Sequence, residues 1–521
     1  MDALWPWIQA CLAIVILIVI LLVLLRNRST KETASLNLPP GPRRLPIIGN
    51  MHQLGSLPHR SLASLSRKHG PLMLLQLGHV PSLVISSAKM AKEVLKTQDL
   101  AFASRPALVA ANRLSYGRTD VVFAPYGDYW TEARKICVLH LLSIKKVQSF
   151  KPIREEEVAS MVRAISCSCG GGPVDLSELF YTLTNSIICR VTVGKSYSSE
   201  GGQQRNYNFL KIVGEFTALL GVFCAGDFFP SMGWVDIVTG IRARLNKNFK
   251  DLNGFLNEVI REHLGKSVPE PTAEQQSDFV DILLQLKKDP GHGVPLSMEN
   301  IKALILDMLT AGTDTTATAL EWLMSELIRN PVAMRRVQEE LERVVGGKGK
   351  AFVEEEDLHD LENLQSAIKE ALRLHPPIPL LVPRELQENT RIDGFDIPAK
   401  TRVYINAWAI GRDNDSWDRA DEFFPERFVK NGIDFKEHDF EFIPFGAGQR
   451  ECPGYSFAMH TMELVVANLL HWFDWKLPSG CQGLDMAESS GITIHRKSPL
   501  MLVATPRYEH EETWLENLVK S

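Results

Sequence analysis

Cys452 stands in Phe445-Gly446-Ala447-Gly448-Gln449-Arg450-Glu451-Cys452-Pro453-Gly454, a single thiol in a glycine-crowded loop that leads into the apolar-rich run Tyr455 to Trp475. A thiolate placed there can bind a metal if the backbone comes very close to the metal's plane, which glycine permits. Neighbouring amide N–H groups could then hydrogen-bond the sulfur and tune its electron donation. Taken alone, Cys452 reads more readily as a packing cysteine in a turn before a helix, so the rest of the chain must decide. A second group is Ala311-Gly312-Thr313-Asp314-Thr315-Thr316, with one acid, one glycine and three threonines between the apolar residues Leu306, Met308, Leu309 and Ala317, Ala319, Leu320. This is poor helix sequence inside a strong helix, and such local conflict marks function more often than tolerance. A third is Glu370-Ala371-Leu372-Arg373, where acid and base share one helical face. Arg427, in Phe424-Pro425-Glu426-Arg427-Phe428, could complete a buried charged knot around Glu370.

The elements that must position these groups are mostly helical. The longest predicted helix runs from Met298 to Arg329, with Ser297 as N-cap and Asn330-Pro331 ending it while capping the next. At 1.5 Å per residue it is about 48 Å long, enough to cross a whole domain. The next helix, Pro331 to Val345, carries Arg335, Arg336, Glu339, Glu340 and Arg343, read as solvated i,i+4 partners. A third ends at Leu374, before His375-Pro376-Pro377. Upstream, Ser61 to His69 and Lys89 to Thr97 have helical patterns. Leu72–Leu77 and Ser82–Ile85 read as a strand pair around Gly78-His79-Val80-Pro81.

The chain has 521 residues, 45% hydrophobic and 23% charged, with a formal net charge of −5 that gives no reason to expect nucleic acid. Ile8 to Leu25 is apolar except for Gln9, with Trp5 and Trp7 before it and Arg26, Arg28 and Lys31 after. That run is long enough to cross a bilayer, and its flanks put the following body on the cytosolic side. A cleaved signal peptide would need a basic start, and only Asp2 is charged there. The eight cysteines show no disulfide framework. The proline-rich stretch Leu38 to Pro46 reads as a stiff hinge. The expected organisation is an anchor at 1–30, a hinge at 31–50, a catalytic body at 51–510 and a tail at 511–521.

Nucleotide motifs fail. Gly194-Lys195-Ser196 lacks the first glycine of a phosphate-binding loop, since Cys189 stands there. Gly446 and Gly448 begin a dinucleotide fingerprint whose third glycine position is Glu451.

Together the motifs resemble those of the cytochrome P-450 family of haem-thiolate monooxygenases, in particular the membrane-anchored A-type enzymes of plants. F-x-x-G-x-R-x-C-x-G is met at Phe445, Gly448, Arg450, Cys452 and Gly454, and A-G-x-D-T at Ala311, Gly312, Asp314 and Thr315. E-x-x-R falls at Glu370 and Arg373, P-E-R-F at Pro425 to Phe428, and W-x-x-x-R at Trp130 and Arg134. Departures are Ala420, where relatives usually have proline, and Gln449, where plant relatives often have arginine.

The resemblance implies a mainly α fold with a small β-rich lobe, preceded by one transmembrane helix. It implies haem b with Cys452 as axial thiolate, and Trp130, Arg134, Arg384, Phe445, Arg450 and Gly454 around the cofactor. Thr315 and Asp314 become the proton relay, and Glu370, Arg373 and Arg427 a structural triad. The substrate pocket would be walled by Phe123, Ala311, Ile378, Leu381, Val382 and Ile492. Electrons would come from NADPH through a separate flavin-containing reductase docking on the Cys452 side, where Lys135, Lys145 and Lys146 are candidates. The implied location is the endoplasmic reticulum membrane, single-pass, with the body in the cytosol. The implied reaction inserts one oxygen atom from O2 into a small lipophilic metabolite: terpenoid, phenylpropanoid, alkaloid or aldoxime. Two alternatives stand beside it: an O2-independent dehydration or rearrangement at the same haem, and a non-catalytic haem-bearing membrane scaffold.

Overall fold

Ser297 accepts the N–H of Asn300 at 3.1 Å while the Asn300 side chain accepts the N–H of Ser297 at 2.8 Å, and from this reciprocal cap the longest helix runs Met298–Arg329. The computed structural model describes residues 36–195, 203–265, 278–289, 294–348, 350–429, 432–435, 439–481 and 483–507. The anchor expected at Ile8–Leu25 and the tail at 511–521 lie outside them, and no helix among the described residues is long and apolar enough to cross a membrane.

Eleven helices of ten or more residues occur among the described residues. They are α1 (Pro58–His69), α2 (Asp128–Cys137), α3 (Lys151–Ser168), α4 (Leu176–Val193), α5 (Gln203–Leu220), α6 (Ile241–Gly265), α7 (Phe279–Lys288), α8 (Met298–Arg329), α9 (Pro331–Val344), α10 (Glu362–Leu374) and α11 (Tyr455–Trp472). The strands are β1 (Leu72–Leu77), β2 (Val80–Ile85), β3 (Val174–Asp175), β4 (Arg384–Glu385), β5 (Thr390–Ile392), β6 (Phe395–Ile397), β7 (Arg402–Ile405), β8 (Phe473–Lys476) and β9 (Met501–Pro506). They form a four-stranded sheet in the order β1-β2-β7-β4, a three-stranded sheet β3-β9-β8 and a β5-β6 ribbon.

The main core gathers α8, α4, α10 and α11, and a smaller one lies between the β1–β2 sheet and the loop before Cys452. Close packing of α8 on α4 explains the glycine in the middle of α8. A Cβ on Gly312 would sit 2.9 Å from Cγ1 of Ile188, inside any normal contact distance. Next to it Thr184 of α4 donates its hydroxyl to the carbonyl of Thr313 at 3.0 Å.

Three expectations change. The hairpin turn is only Gly78–His79, and Val80 and Pro81 already belong to β2. Proline is tolerated because the facing Gln76 turns its N–H and carbonyl to Asn50, at 2.8 and 2.7 Å. Asn330 holds the N-cap position of α9 but makes no side-chain cap; its amide turns back to the Glu326 carbonyl at 2.8 Å. Glu340 is buried and not a solvated partner. Its carboxylate accepts the N–H groups of Asn363 at 3.0 Å and Leu364 at 3.2 Å, so it caps α10 from the neighbouring helix.

Candidate active site

The loop before α11 is shaped by two glycines in the left-handed region, Gly446 at φ 70° and Gly448 at φ 72°. At Gly448 a Cβ would lie 2.3 Å from the Leu95 carbonyl and 2.5 Å from Oδ2 of Asp99, so both conformation and space demand glycine. The loop closes where the Cys452 N–H donates to the Phe445 carbonyl at 2.9 Å, and the Phe445 ring lies 4.9 Å from that of Phe435. Cys452 is half-buried. Burial raises its thiol pKa, against the Gly454 backbone N–H and the charge of Arg134, which favour thiolate. Gly454 is the N-cap residue of α11.

Four guanidinium groups are electrostatically coupled, Arg105, Arg134, Arg384 and Arg450, and Arg134 joins them to the Cys452 sulfur. Burial, then the charges of Arg384 and Arg134 against those of Asp120 and Asp99, bring Arg450 down to about 9. Burial and then Arg450 and Arg384 lower Arg105 as well. Arg450 donates to the carbonyls of Ala103 at 2.7 Å, Val121 at 3.3 Å and Ala124 at 2.7 Å. Arg384 donates to Asp99 and to the Ala447 carbonyl, both at 2.9 Å. Trp130 donates Nε1 to the Val121 carbonyl at 3.0 Å. Arg134 lies 5.7 Å from the Trp130 ring and donates to no described residue. Against the four cations stand three carboxylates, Asp99, Asp120 and Glu451, and burial pushes Asp120 up to about 6. The cluster therefore carries positive charge that a buried dianion would neutralise. One thiol for a metal, with arginines in excess over acids for two carboxylates, is a donor set that fits haem.

Twenty-three residues of α8 are buried, yet at its middle Ala311 is exposed and Gly312 and Thr315 are half-buried, which opens one face of the helix inside the fold. The Thr315 hydroxyl donates to the Ala311 carbonyl at 2.7 Å. Asp314 is buried, and its Oδ1 lies 3.2 Å from Nε2 of His495. The expected relay acid is thus tied to a histidine that sequence spacing did not single out.

The pocket segments come together through backbone bonds. Arg105 holds the carbonyls of Val382 at 2.5 Å and Pro383 at 3.0 Å, joining the loop of Phe123 to the segment of Ile378, Leu381 and Val382. Ile494 donates to the Pro377 carbonyl at 2.9 Å, bringing the Ile492 turn beside it. Val121 donates to Asp307 of α8 at 2.6 Å. Phe123 itself is buried, whereas Ile378, Leu381, Val382 and Ile492 keep partial exposure.

The charged knot is assembled, with Glu370 and Arg373 buried and Arg427 half-buried. Arg373 makes a bidentate pair with Glu370 at 2.7 and 2.8 Å, and Arg427 reaches the same carboxylate at 3.0 Å. Arg373 also donates to the carbonyls of Ala420 at 2.6 Å and Glu422 at 3.1 Å, locking the chain ahead of Pro425 onto α10. Sequence reasoning missed Arg105, Asp99, Asp120 and His495. The first three belong to no motif with fixed spacing. His495 follows the Ile492 turn without any helical or strand period to mark it.

A family model described as Cytochrome P450 matches residues 39–503. The chain is 55% identical over 460 residues to cytochrome P450 71A1 of Persea americana, covering 88% of this chain and 91% of that protein. It is 49% identical over 486 residues to strychnine-11-hydroxylase of Strychnos nux-vomica, covering 93% and 94%. A solved zebra fish cytochrome P450 with abiraterone superposes with a TM-score of 0.73 at 26% identity, covering 87% of this chain and 99% of that one.

Proposed function

Since the chain belongs to the cytochrome P450 family and is a cytochrome P450 monooxygenase, we propose that it inserts one oxygen atom, typically as a hydroxyl, into a small lipophilic plant secondary metabolite. The observation that carries the reading is the half-buried Cys452 thiol beside a cluster of four arginines with too few acids. Family membership with a monooxygenase activity sets the non-catalytic scaffold aside.

Cys452 would ligate the haem iron, and Arg134, Arg384, Arg450 and Trp130 would face its propionates, the guanidinium fork suiting a carboxylate. Thiolate-ligated haem supplies oxygen activation, because the sulfur pushes electron density that favours O–O cleavage. The protein supplies protons and excludes water. Thr315, its hydrogen committed to the Ala311 carbonyl, presents an acceptor oxygen on the open face of α8 and can donate only by leaving that carbonyl. Asp314, one residue away and buried, would stand behind it in the relay.

The substrate class rests on the apolar walls around Phe123, Leu381, Val382 and Ile492, and on the alkaloid hydroxylase among the relatives. Terpenoids, phenylpropanoids and aldoximes fit the same walls. The proposed location is the endoplasmic reticulum membrane, held by Ile8–Leu25 with the body in the cytosol. In support, Ile47, Phe223, Trp234, Ile237 and Val238 are exposed. The Gly78–His79 turn links their two segments, with Gly78 donating to the Ile48 carbonyl and His79 to that of Phe228. Electrons would come from NADPH through a membrane reductase meeting the exposed Lys135 and Lys145 and the half-buried Lys146.

A reduced carbon monoxide difference spectrum tests the core of the reading. The wild type should give the thiolate-type band and Cys452→Ala should lose it; a variant that keeps the band refutes the ligand. Screening terpenoids, phenylpropanoids, alkaloids and aldoximes for a Soret shift then selects the substrate class.

A further inference from the structure

Successive helical residues lie about 100° apart, so Asp314 shares a second face of α8 with Ala317, Thr318 and Glu321, about 100° round from Thr315 on the open face. Against this second face is a cavity of about 270 Å3, walled also by Ser177 and Tyr181 of α4 and by His495 to Lys497 and Pro499. Lys497 and Pro499 are exposed, so the cavity meets solvent. His495 spans from it to the buried acid: its side chain is 35% exposed, and the Asp314 side chain it touches is 3% exposed.

Counting hydrogens shows what the pair holds. Thr318 donates its one hydroxyl hydrogen to the Asp314 carbonyl at 2.8 Å. In that arrangement its 3.0 Å contact with Nδ1 of His495 is a hydrogen bond donated by Nδ1–H; with the hydroxyl turned to Nδ1 instead, the imidazole hydrogen sits on Nε2, toward Asp314. The 3.2 Å contact between Nε2 and Oδ1 needs a second hydrogen, whichever atom bears it. The pair thus contains a transferable proton on the solvent side of Asp314. A second observation points the same way. Oδ2 of Asp314 and Oη of Tyr181 are both buried without a hydrogen-bond partner among the described residues, and the charge of Asp314 is felt at Tyr181. Buried polar atoms of this kind are where ordered water bridges.

We propose that His495 is the solvent-side relay of the proton path, taking protons from this cavity and handing them to Asp314. The proposal rests on the relay reading of Asp314 and Thr315 given above. In the step, the Nε2–H bond breaks and an Oδ1–H bond forms, leaving neutral imidazole and a neutral carboxyl. The carboxyl releases its proton toward the Thr315 side, and a solvent proton from the cavity restores the imidazolium; no electron moves. The charged and titratable groups facing His495 are Asp314 and Glu321 of α8, Tyr181 of α4, and Arg496 and Lys497 on its own segment. Burial opposes protonation of His495, but the hydrogen bond and charge of Asp314, then the charge of Glu321, outweigh it and raise its pKa. The donor form therefore persists to higher pH than in an ordinary histidine and is lost as pH rises through the raised value.

The test uses the full-length haem-loaded enzyme with its reductase, comparing wild type, His495→Gln and Asp314→Asn. With an intact carbon monoxide spectrum, H495Q should make product about tenfold more slowly, show a larger solvent isotope effect and lose the alkaline fall of the wild-type rate. In the diamagnetic ferrous carbon monoxide form, histidine NMR should place the His495 pKa above the ordinary histidine value of about 6.5, and D314N should bring it back down. A damaged D314N beside an H495Q of wild-type rate and isotope effect overturns the inference and spares the reading beneath it; if both variants are silent, that reading falls too. Should H495Q lose the carbon monoxide band, the NMR arm decides: a His495 pKa indifferent to D314N overturns the relay.

Discussion

Asp120 and Asp307 meet in hydrogen-bond contact inside the protein, joining the loop over the arginine cluster to the long helix α8. Val121 donates to Asp307 at 2.6 Å and Phe123 to Asp120 at 3.1 Å. Burial leads in raising both carboxyls: Asp120 to about 6, and Asp307 well above the ordinary range, with the charge of Asp120 second. Groups whose folded pKa lies above the unfolded value stabilise the fold fully below the unfolded value, near 4. That stability is lost as pH rises through about 6 and beyond. Asp307→Asn keeps an acceptor for Val121 and removes one titrating group. It should match the wild type near pH 4 and exceed it by on the order of 1–3 kcal/mol at pH 8. Thermal unfolding across that range checks it, and parallel curves for the two proteins reject a shared buried proton.

The parts of this site that were legible in sequence are those where chemistry restricts residue type within one short segment. The Cys452 loop needs glycines at set offsets, and their positive φ values show why. Glu370 and Arg373 are three apart on one helix, so their pairing needed no knowledge of the fold. Asp99 joins Gln449 across 350 residues of sequence, and Thr318 joins His495 across 177. No period or spacing encodes such pairs, because packing of separate elements creates them. Glu340 misled for a related reason. Its neighbours on α9 make an ordinary charged face, and only the arrival of α10 turns its carboxylate into a cap.

That cap gives a second prediction. Glu340→Ala leaves the N–H groups of Asn363 and Leu364 without their acceptor at a buried helix start. The loss should be about 1–3 kcal/mol. Glu340→Gln, which keeps one acceptor oxygen, should lose less. Urea unfolding of both variants measures it, and equal stability of E340A and wild type would show that the helix start finds another acceptor.

The Glu370 knot should behave differently from a surface ion pair. Its carboxylate holds Arg373, Arg427 and the Phe424 N–H, the last at 2.8 Å, with no exposure of the Glu370 side chain. Glu370→Ala strands the buried Arg373 guanidinium and frees the half-buried Arg427, a loss of about 3–5 kcal/mol. Arg427→Lys keeps the charge but not the fork and should cost less. The expected readout for E370A is low soluble yield and early thermal unfolding even before haem is considered. Normal yield and melting would place the knot among weak surface pairs.

The two glycines that flank Cys452 should fail for different reasons. At Gly448 an added Cβ meets the Leu95 carbonyl and the Asp99 carboxylate, in a left-handed conformation that alanine adopts poorly. Moving Asp99 releases Arg384 and the Gln449 N–H, held at 2.9 and 2.6 Å. Gly448→Ala should therefore destabilise the protein itself as well as lower the thiolate-type carbon monoxide signal. At Gly454 a Cβ would meet nothing within 4 Å, and φ is −95°. Gly454→Ala should change the stability of the haem-free chain by less than about 1 kcal/mol, the scale of an N-cap change. Its effect should instead appear in haem affinity, because no described residue lies within reach of that methyl, whereas the cofactor held by Cys452 would. Titrating haem into both purified haem-free variants, alongside their melting curves, separates the two. A Gly454→Ala protein with normal haem affinity would show that the cofactor keeps clear of this glycine.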